Sequence, residues 1–229
     1  MNPAGDRVVV NTEGAAAAVV ELVADGGAWA VAASLPGSAW AAAAGGDVLA
    51  VGWTGAGPVD VFERRDGGWA FSQSIPMPDG GCQSPGCGFG SSLALSDDGR
   101  VLLVSASQFN PSSAFLYERS DAGFVFSHRL TADYIQFVPD HLAVEFEAPV
   151  ALSARGDVAA VGCPEEGSAT VALRTDAGWV EELIVPAVGI RFTIGNGVSL
   201  SADGRRLAIA CPLCSDDAGV FLYEDKSAR

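Results

Sequence analysis

Two histidines, His128 and His141, are the side chains of this 229-residue sequence whose ordinary pKa suits proton transfer near neutrality. A Ser/His/Asp arrangement could be drawn around either one. No Gly-x-Ser-x-Gly elbow is present, however, and a chain this rich in serine permits such a drawing anywhere, so both are read as ordinary surface histidines. A glycosidase would need two carboxylates at controlled separation in a common pocket. The segments that would line such a pocket, Ala41 to Ala44, Leu93, Leu95, Val150, Leu152, Val198 and Leu200, carry no charge. The five cysteines include Cys82-x4-Cys87 in a Gly/Pro-rich loop and Cys211-x2-Cys214, with Cys163 apart. The two pairs are far apart in sequence with no histidine nearby, which argues against zinc. A Cys82–Cys87 disulfide would favour an oxidising compartment: extracellular, secretory or organelle-lumenal.

Charge excludes further classes. Lys and Arg number 13 against 28 Asp and Glu, a net charge of -15, which repels phosphate backbones and anionic lipid surfaces, so nucleic acid is not an expected partner. The mean hydropathy is high for a soluble domain, yet no apolar run reaches the roughly 18 residues a spanning helix requires. Part of that apolar surface is expected to face another protein, and a membrane complex could be joined through such protein contacts. Met1 to Asp6 shows neither a basic start nor an apolar core of a signal peptide.

Residues with binding potential concentrate where the sequence departs from its own pattern. Between Thr131 and Glu147 lie Asp133, Tyr134, Phe137, Asp140, His141, Glu145 and Phe146. Aromatic rings interleaved with acids on a long connection suit a protein contact or a sugar platform, or else pack beneath their own sheet. The segment Pro76 to Gly88 is a second such loop, and Trp53 interrupts a repeat position.

The elements that must position these residues recur. Turn sequences Gly45-Gly46-Asp47, Asp98-Gly99-Arg100, Gly156-Asp157 and Asp203-Gly204-Arg205 are spaced by about fifty residues, the period of propeller blades. A short small-residue strand precedes each turn, and a nearly continuous apolar strand follows it: Val48 to Val51, Val101 to Val104, Val158 to Val161, Leu207 to Ala210. Val8 to Val10 is a fifth copy. Such strands are expected to be buried on both faces. A third strand (Val59 to Glu63, Ala114 to Glu118, Ala169 to Leu173, Val220 to Glu224) leads through an Asp/Gly hairpin to a fourth that opens on Trp69, Phe124 or Trp179. The expected fold is therefore all-β, a β-propeller of about five four-stranded blades in one domain. Its units cover approximately 1–36, 37–88, 89–147, 148–194 and 195–229, with the terminal blades incomplete: the first lacks its inner strand and the last its outer one.

Phe89-Gly90-Ser91-Ser92-Leu93-Ala94-Leu95-Ser96, continuing through Val101 to Tyr117, resembles the FG-GAP repeat of integrin-α-type propellers. Degraded forms of the Gly-Ala-Pro element stand at Gly162-Cys163-Pro164, Ala210-Cys211-Pro212 and, more weakly, Gly52-Trp53-Thr54. That resemblance implies calcium between the first two strands of a blade, but Ser96-Asp97-Asp98-Gly99 and Ser201-Ala202-Asp203-Gly204 are too short and too poor in carboxylates to supply the oxygens. They read as hairpin turns.

These observations lead us to expect no catalytic residue, no metal and no cofactor, and a non-catalytic interaction or scaffold module that is a subunit or peripheral part of a larger assembly. Tyr134, Phe137, Asp140, His141, Phe146 and Trp53 are its candidate contact residues. A carbohydrate-binding, lectin-like propeller is the alternative, and a hydrolase the weaker one.

Overall fold

A computed structural model of the chain describes residues 7–12, 18–25, 27–54, 57–78, 88–106, 113–131, 148–164, 167–184, 194–212 and 219–225. Among them are strands and turns, no α-helix, and five antiparallel sheets that follow one another along the chain. Sheet 1 holds β1 (Arg7–Thr12), β2 (Ala18–Asp25) and β3 (Ala28–Pro36). Sheet 2 holds β4 (Ala39–Gly45), β5 (Val48–Trp53), β6 (Val59–Arg65) and β7 (Gly68–Ile75). Sheet 3 is β8 (Phe89–Leu95), β9 (Val101–Ala106), β10 (Ser113–Ser120) and β11 (Gly123–Thr131), and sheet 4 is β12 (Val150–Leu152), β13 (Val158–Cys163), β14 (Ser168–Thr175) and β15 (Gly178–Ile184). Sheet 5 has three strands, β16 (Gly197–Leu200), β17 (Arg206–Cys211) and β18 (Gly219–Glu224). Each sheet is a simple meander, the consequence of short hairpin turns between consecutive strands.

The turn after the first strand is built by a serine. The Ser96 hydroxyl accepts from the backbone N–H of Arg100 and of Val101 (3.1 and 2.9 Å) and donates to Asp98. Ser153 does the same with Asp157 and Val158, and Ser201 with Asp203 and Arg206. The glycine in each turn has positive φ, 68° at Gly99 and 70° at Gly156 and Gly204, a conformation that residues with a Cβ avoid. Successive turns are tied by backbone hydrogen bonds, Asp97 N–H to the Ala154 carbonyl (2.8 Å) and Ala154 N–H to that of Ala202 (2.9 Å). The Asp and Gly residues thus serve backbone geometry and sheet stacking.

Stacking face to face is what makes the core. Each sheet has a leading face, towards the next sheet in the chain, and a trailing face, towards the previous one. The leading residues Ala50, Val59 and Val61 of sheet 2 meet the trailing residues Leu102, Val104 and Phe115 of sheet 3. Leu103, Ala114 and Leu116 of sheet 3 then meet Ala159, Val161 and Ala172 of sheet 4, and Ala160, Ala169 and Val171 meet Leu207, Ile209 and Phe221 of sheet 5. The second strands of sheets 2 to 4 are covered on both faces, β9 and β13 along their whole length. Their continuous apolar sequence is the price of that double burial. At the loop end of the stack, backbones come close enough to exclude a side chain: a Cβ on Gly52 would lie 2.0 Å from the Gly90 carbonyl oxygen, and one on Gly162 2.0 Å from that of Gly195.

Candidate functional site

Polar groups are organised around the same interfaces. Arg64, Arg119 and Arg174 occupy one position in the third strands of sheets 2, 3 and 4, and each reaches back to a glutamate of the preceding sheet. Arg119 bonds Glu63 at 2.8 Å and Asp47 at 2.9 Å, and Arg174 bonds Glu118. Arg64 bonds Glu21, a carboxylate only 3% exposed, which also accepts from the Trp69 indole N–H at 3.2 Å and lies 3.6 Å from Arg7. The Arg64 guanidinium stacks 4.3 Å above the Trp69 ring. These pairs latch sheets 2, 3 and 4 each to the one before it, and the buried Glu21 carboxylate is tolerated because it is ion-paired and hydrogen-bonded.

Two depressions accompany the latches. One, of about 260 Å³, lies between sheets 1 to 3 and is lined by Arg7, Glu21, Arg64 and Trp69 against Ala42 to Gly46 and Leu93 to Leu95. The other, about 780 Å³, is an open polar cleft on the outside of sheets 2 and 3, floored by Glu63, Arg65, Gln73, Arg100 and Arg119. Arginines in both are paired with neighbouring carboxylates, and Arg65 beside Glu63, more than Arg119, holds that carboxyl below the ordinary glutamate range against the opposing effect of burial. The inner strands β4, β8, β12 and β16 carry no titratable side chain at all.

Trp53 lies at the end of β5, half-buried in the interface between sheets 1 and 2, where its indole N–H donates to Asp60 at 2.8 Å and its ring covers Gly37. His128 lies on β11 with Nε2 2.7 Å from Glu181 of the next sheet. Tyr134, Phe137, Asp140, His141 and Phe146 fall outside the described residues, as do Cys82 and Cys87. Cys163 is buried, and Cys211, at the end of β17, is disulfide-bonded.

The sequence reading passed over the latch arginines, although Glu63-Arg64 and Glu118-Arg119 recur at the repeat spacing. The terminal blades, expected to be incomplete, form the exposed ends of the stack. Val59, Ala114 and Ala169 are 0% exposed, whereas Val220, at the same register position of sheet 5, is 60% exposed. Val61 and Leu116, 2% and 0% exposed, correspond to Leu222 at 80%. On the trailing side, Phe124 is 5% exposed but its sheet 1 counterpart Trp29 is 48% exposed. Extensive packing runs β1 to β4, β4 to β8, β8 to β12 and β12 to β16, and among the described residues none of that extent joins sheet 5 to sheet 1.

No family model matches the chain, and no curated protein matches it by sequence. Its backbone is similar to many solved structures. One is a candidate 6-phosphogluconolactonase of Bacteroides uniformis (TM-score 0.64, 15% identity, covering 99% of this chain and 66% of that one). Another is the β-propeller domain of Cps50 (Swd1) from Myceliophteria thermophila (0.59, 14%, 96% and 67%), and a third is KlAtg21 in complex with the coiled coil of AgAtg16 (0.64, 12%, 95% and 64%). The likeness is one of fold: an all-β, propeller-like stack of sheets. The chain spans about two thirds of the length of these neighbours.

Proposed function

We propose that this protein is a non-catalytic β-propeller interaction module, a five-bladed segment that works as part of a larger assembly. The observation that carries the reading is the contrast between its two kinds of surface. The inner strands, where propeller enzymes need polar groups, bear no titratable side chain, whereas the end sheets present apolar residues to solvent. Exposed contiguous apolar surface on a chain of net charge -15 is the composition of a contact face. Neighbours of similar fold include KlAtg21 bound to a coiled coil, which supports protein contact as a use of the fold, though fold alone does not carry function. The packing of Gly90 on Gly52 supports the FG-GAP resemblance, since it brings the Phe-Gly element of one sheet against the degraded Gly-Ala-Pro element of the sheet before it. The disulfide at Cys211 fits an oxidising compartment.

The test is light scattering with calorimetry on the purified chain, together with hydrolysis assays on 6-phosphogluconolactone and simple esters. The expected result is concentration-dependent association and no hydrolysis above the buffer rate. A strictly monomeric chain that unfolds in one sharp transition and turns over either substrate would overturn the proposal.

A further inference from the structure

We infer that the cavity between sheets 1 to 3 is a binding site for a small aliphatic carboxylate. It is built where the repeat breaks its own pattern. In sheets 2 and 3 two leading-face positions are aliphatic and bury against the following sheet, Val48 with Val61 and Val101 with Leu116. In sheet 1 the same two register positions hold Arg7 and Glu21. Arg64 enters from sheet 2 to share Glu21, so two guanidiniums flank one buried carboxylate. Buried ion clusters are commonly no more stabilising than the aliphatic residues they displace, so packing does not account for this one. Departures from a chain's own pattern are expected at functional sites.

The cluster leaves a donor unused. Nε of Arg64 is shielded from solvent and has no hydrogen-bond partner, a state that buried N–H groups seldom keep. Arg119, the same residue one sheet on, meets two carboxylates, Asp47 and Glu63, whereas Arg64 meets Glu21 alone among the described residues. The charged groups lining the cavity are Arg7, Arg64 and Glu21, an excess of one positive charge on a chain of net charge -15. Much of the remaining wall is apolar: Trp69, whose ring stacks on the Arg64 guanidinium, and the runs Ala42 to Ala44 and Leu93 to Leu95. The volume of about 260 Å³ takes about nine non-hydrogen atoms, at the roughly 30 Å³ that a water molecule occupies in the liquid. A carboxylate head accepts from the free guanidinium edge, and an alkyl body of about five carbons lies along the alanines. Inorganic phosphate, with no apolar part, leaves that wall bare. The same head is carried by a free short-chain acid and by the C-terminal residue of a partner chain, and the test separates these sources.

The experiment is isothermal titration of the full chain with hexanoate and with acetyl-Gly-Leu, using hexanol and inorganic phosphate as controls. The expected result is one site per chain with a Kd on the order of 0.1 mM for hexanoate. Hexanol, which lacks the charge, and phosphate, which lacks the apolar body, are expected to bind about tenfold more weakly. Tighter binding of acetyl-Gly-Leu than of hexanoate assigns the site to a chain terminus, and the reverse order to a free acid. Ala42→Leu narrows the cavity without touching the ion cluster, and Arg64→Lys keeps the charge but removes the Nε donor; each is expected to weaken hexanoate about tenfold. The thermal midpoint of each variant tells a lost site from a lost fold. Where a variant does not fold, the comparison of hexanoate with hexanol on the parent chain decides. No heat from either carboxylate at about a hundred times the expected Kd overturns the inference. So does equal binding of hexanoate and either control, or an affinity unchanged in both folded variants.

Discussion

Replacing Leu116 and Leu222 by alanine, one at a time, compares the same residue at the same repeat position with and without a covering sheet. Leu116 is 0% exposed between sheets 3 and 4, and Leu222 is 80% exposed on sheet 5. Truncation removes three carbons, worth about 0.8 kcal/mol each when fully buried, and leaves a cavity in the packed interface; the cost at Leu116 is about 3 kcal/mol. At Leu222 only about a fifth of the side chain is shielded, no cavity forms, and the same arithmetic leaves about 0.5 kcal/mol. Equilibrium urea unfolding of the isolated chain, followed by tryptophan fluorescence, reads the difference as a midpoint shift of about 1 M for Leu116→Ala and close to none for Leu222→Ala. Trp179 packs into the cluster that contains Leu116, so the probe sits where the damage is done. Equal shifts would mean that the face of sheet 5 is covered in the isolated chain, and the account of an open end would fall.

Gly52→Ala drives a Cβ into the Gly90 carbonyl and is expected to cost about 3 kcal/mol, while Gly57→Ala, which meets nothing within 4 Å, changes stability by less than about 0.5 kcal/mol in the same unfolding assay. Gln73 bonds both backbone groups of Phe124, donating to its carbonyl at 3.0 Å and accepting from its N–H at 2.8 Å. Gln73→Ala strands those groups, for a loss of about 1–2 kcal/mol and faster hydrogen exchange at Phe124. Glu63 has a depressed folded pKa, so its stabilising contribution is complete above the unfolded value of about 4.3 and is lost as pH falls through the lower folded value. Arg119→Ala removes part of that depression. The variant is less stable at pH 7 by under about 1 kcal/mol, the pair being partly exposed to solvent, and the gap closes as pH drops through that window. A gap independent of pH would show that the latch acts through packing instead.

Within each unit, much of the architecture was legible in residue order. The Asp/Gly turns set the strand boundaries because only certain residues adopt their backbone angles, and the meander follows from connections too short for anything else. The unbroken apolar character of Val101 to Val104 and Val158 to Val161 foretold burial on both faces, as found. The latches were harder to see, because Arg119 and Glu63 are 56 residues apart and nothing local distinguishes a paired arginine from a solvated one.

The amino-acid sequence by itself determined the repeat, the strand order and the two-faced apolar character of every second strand, since these depend on local backbone preference and side-chain type. Only the tertiary structure decided which faces find a neighbour. Leu116 and Leu222 are written alike, and one is enclosed while the other meets water because burial belongs to the stack of sheets and not to the strand.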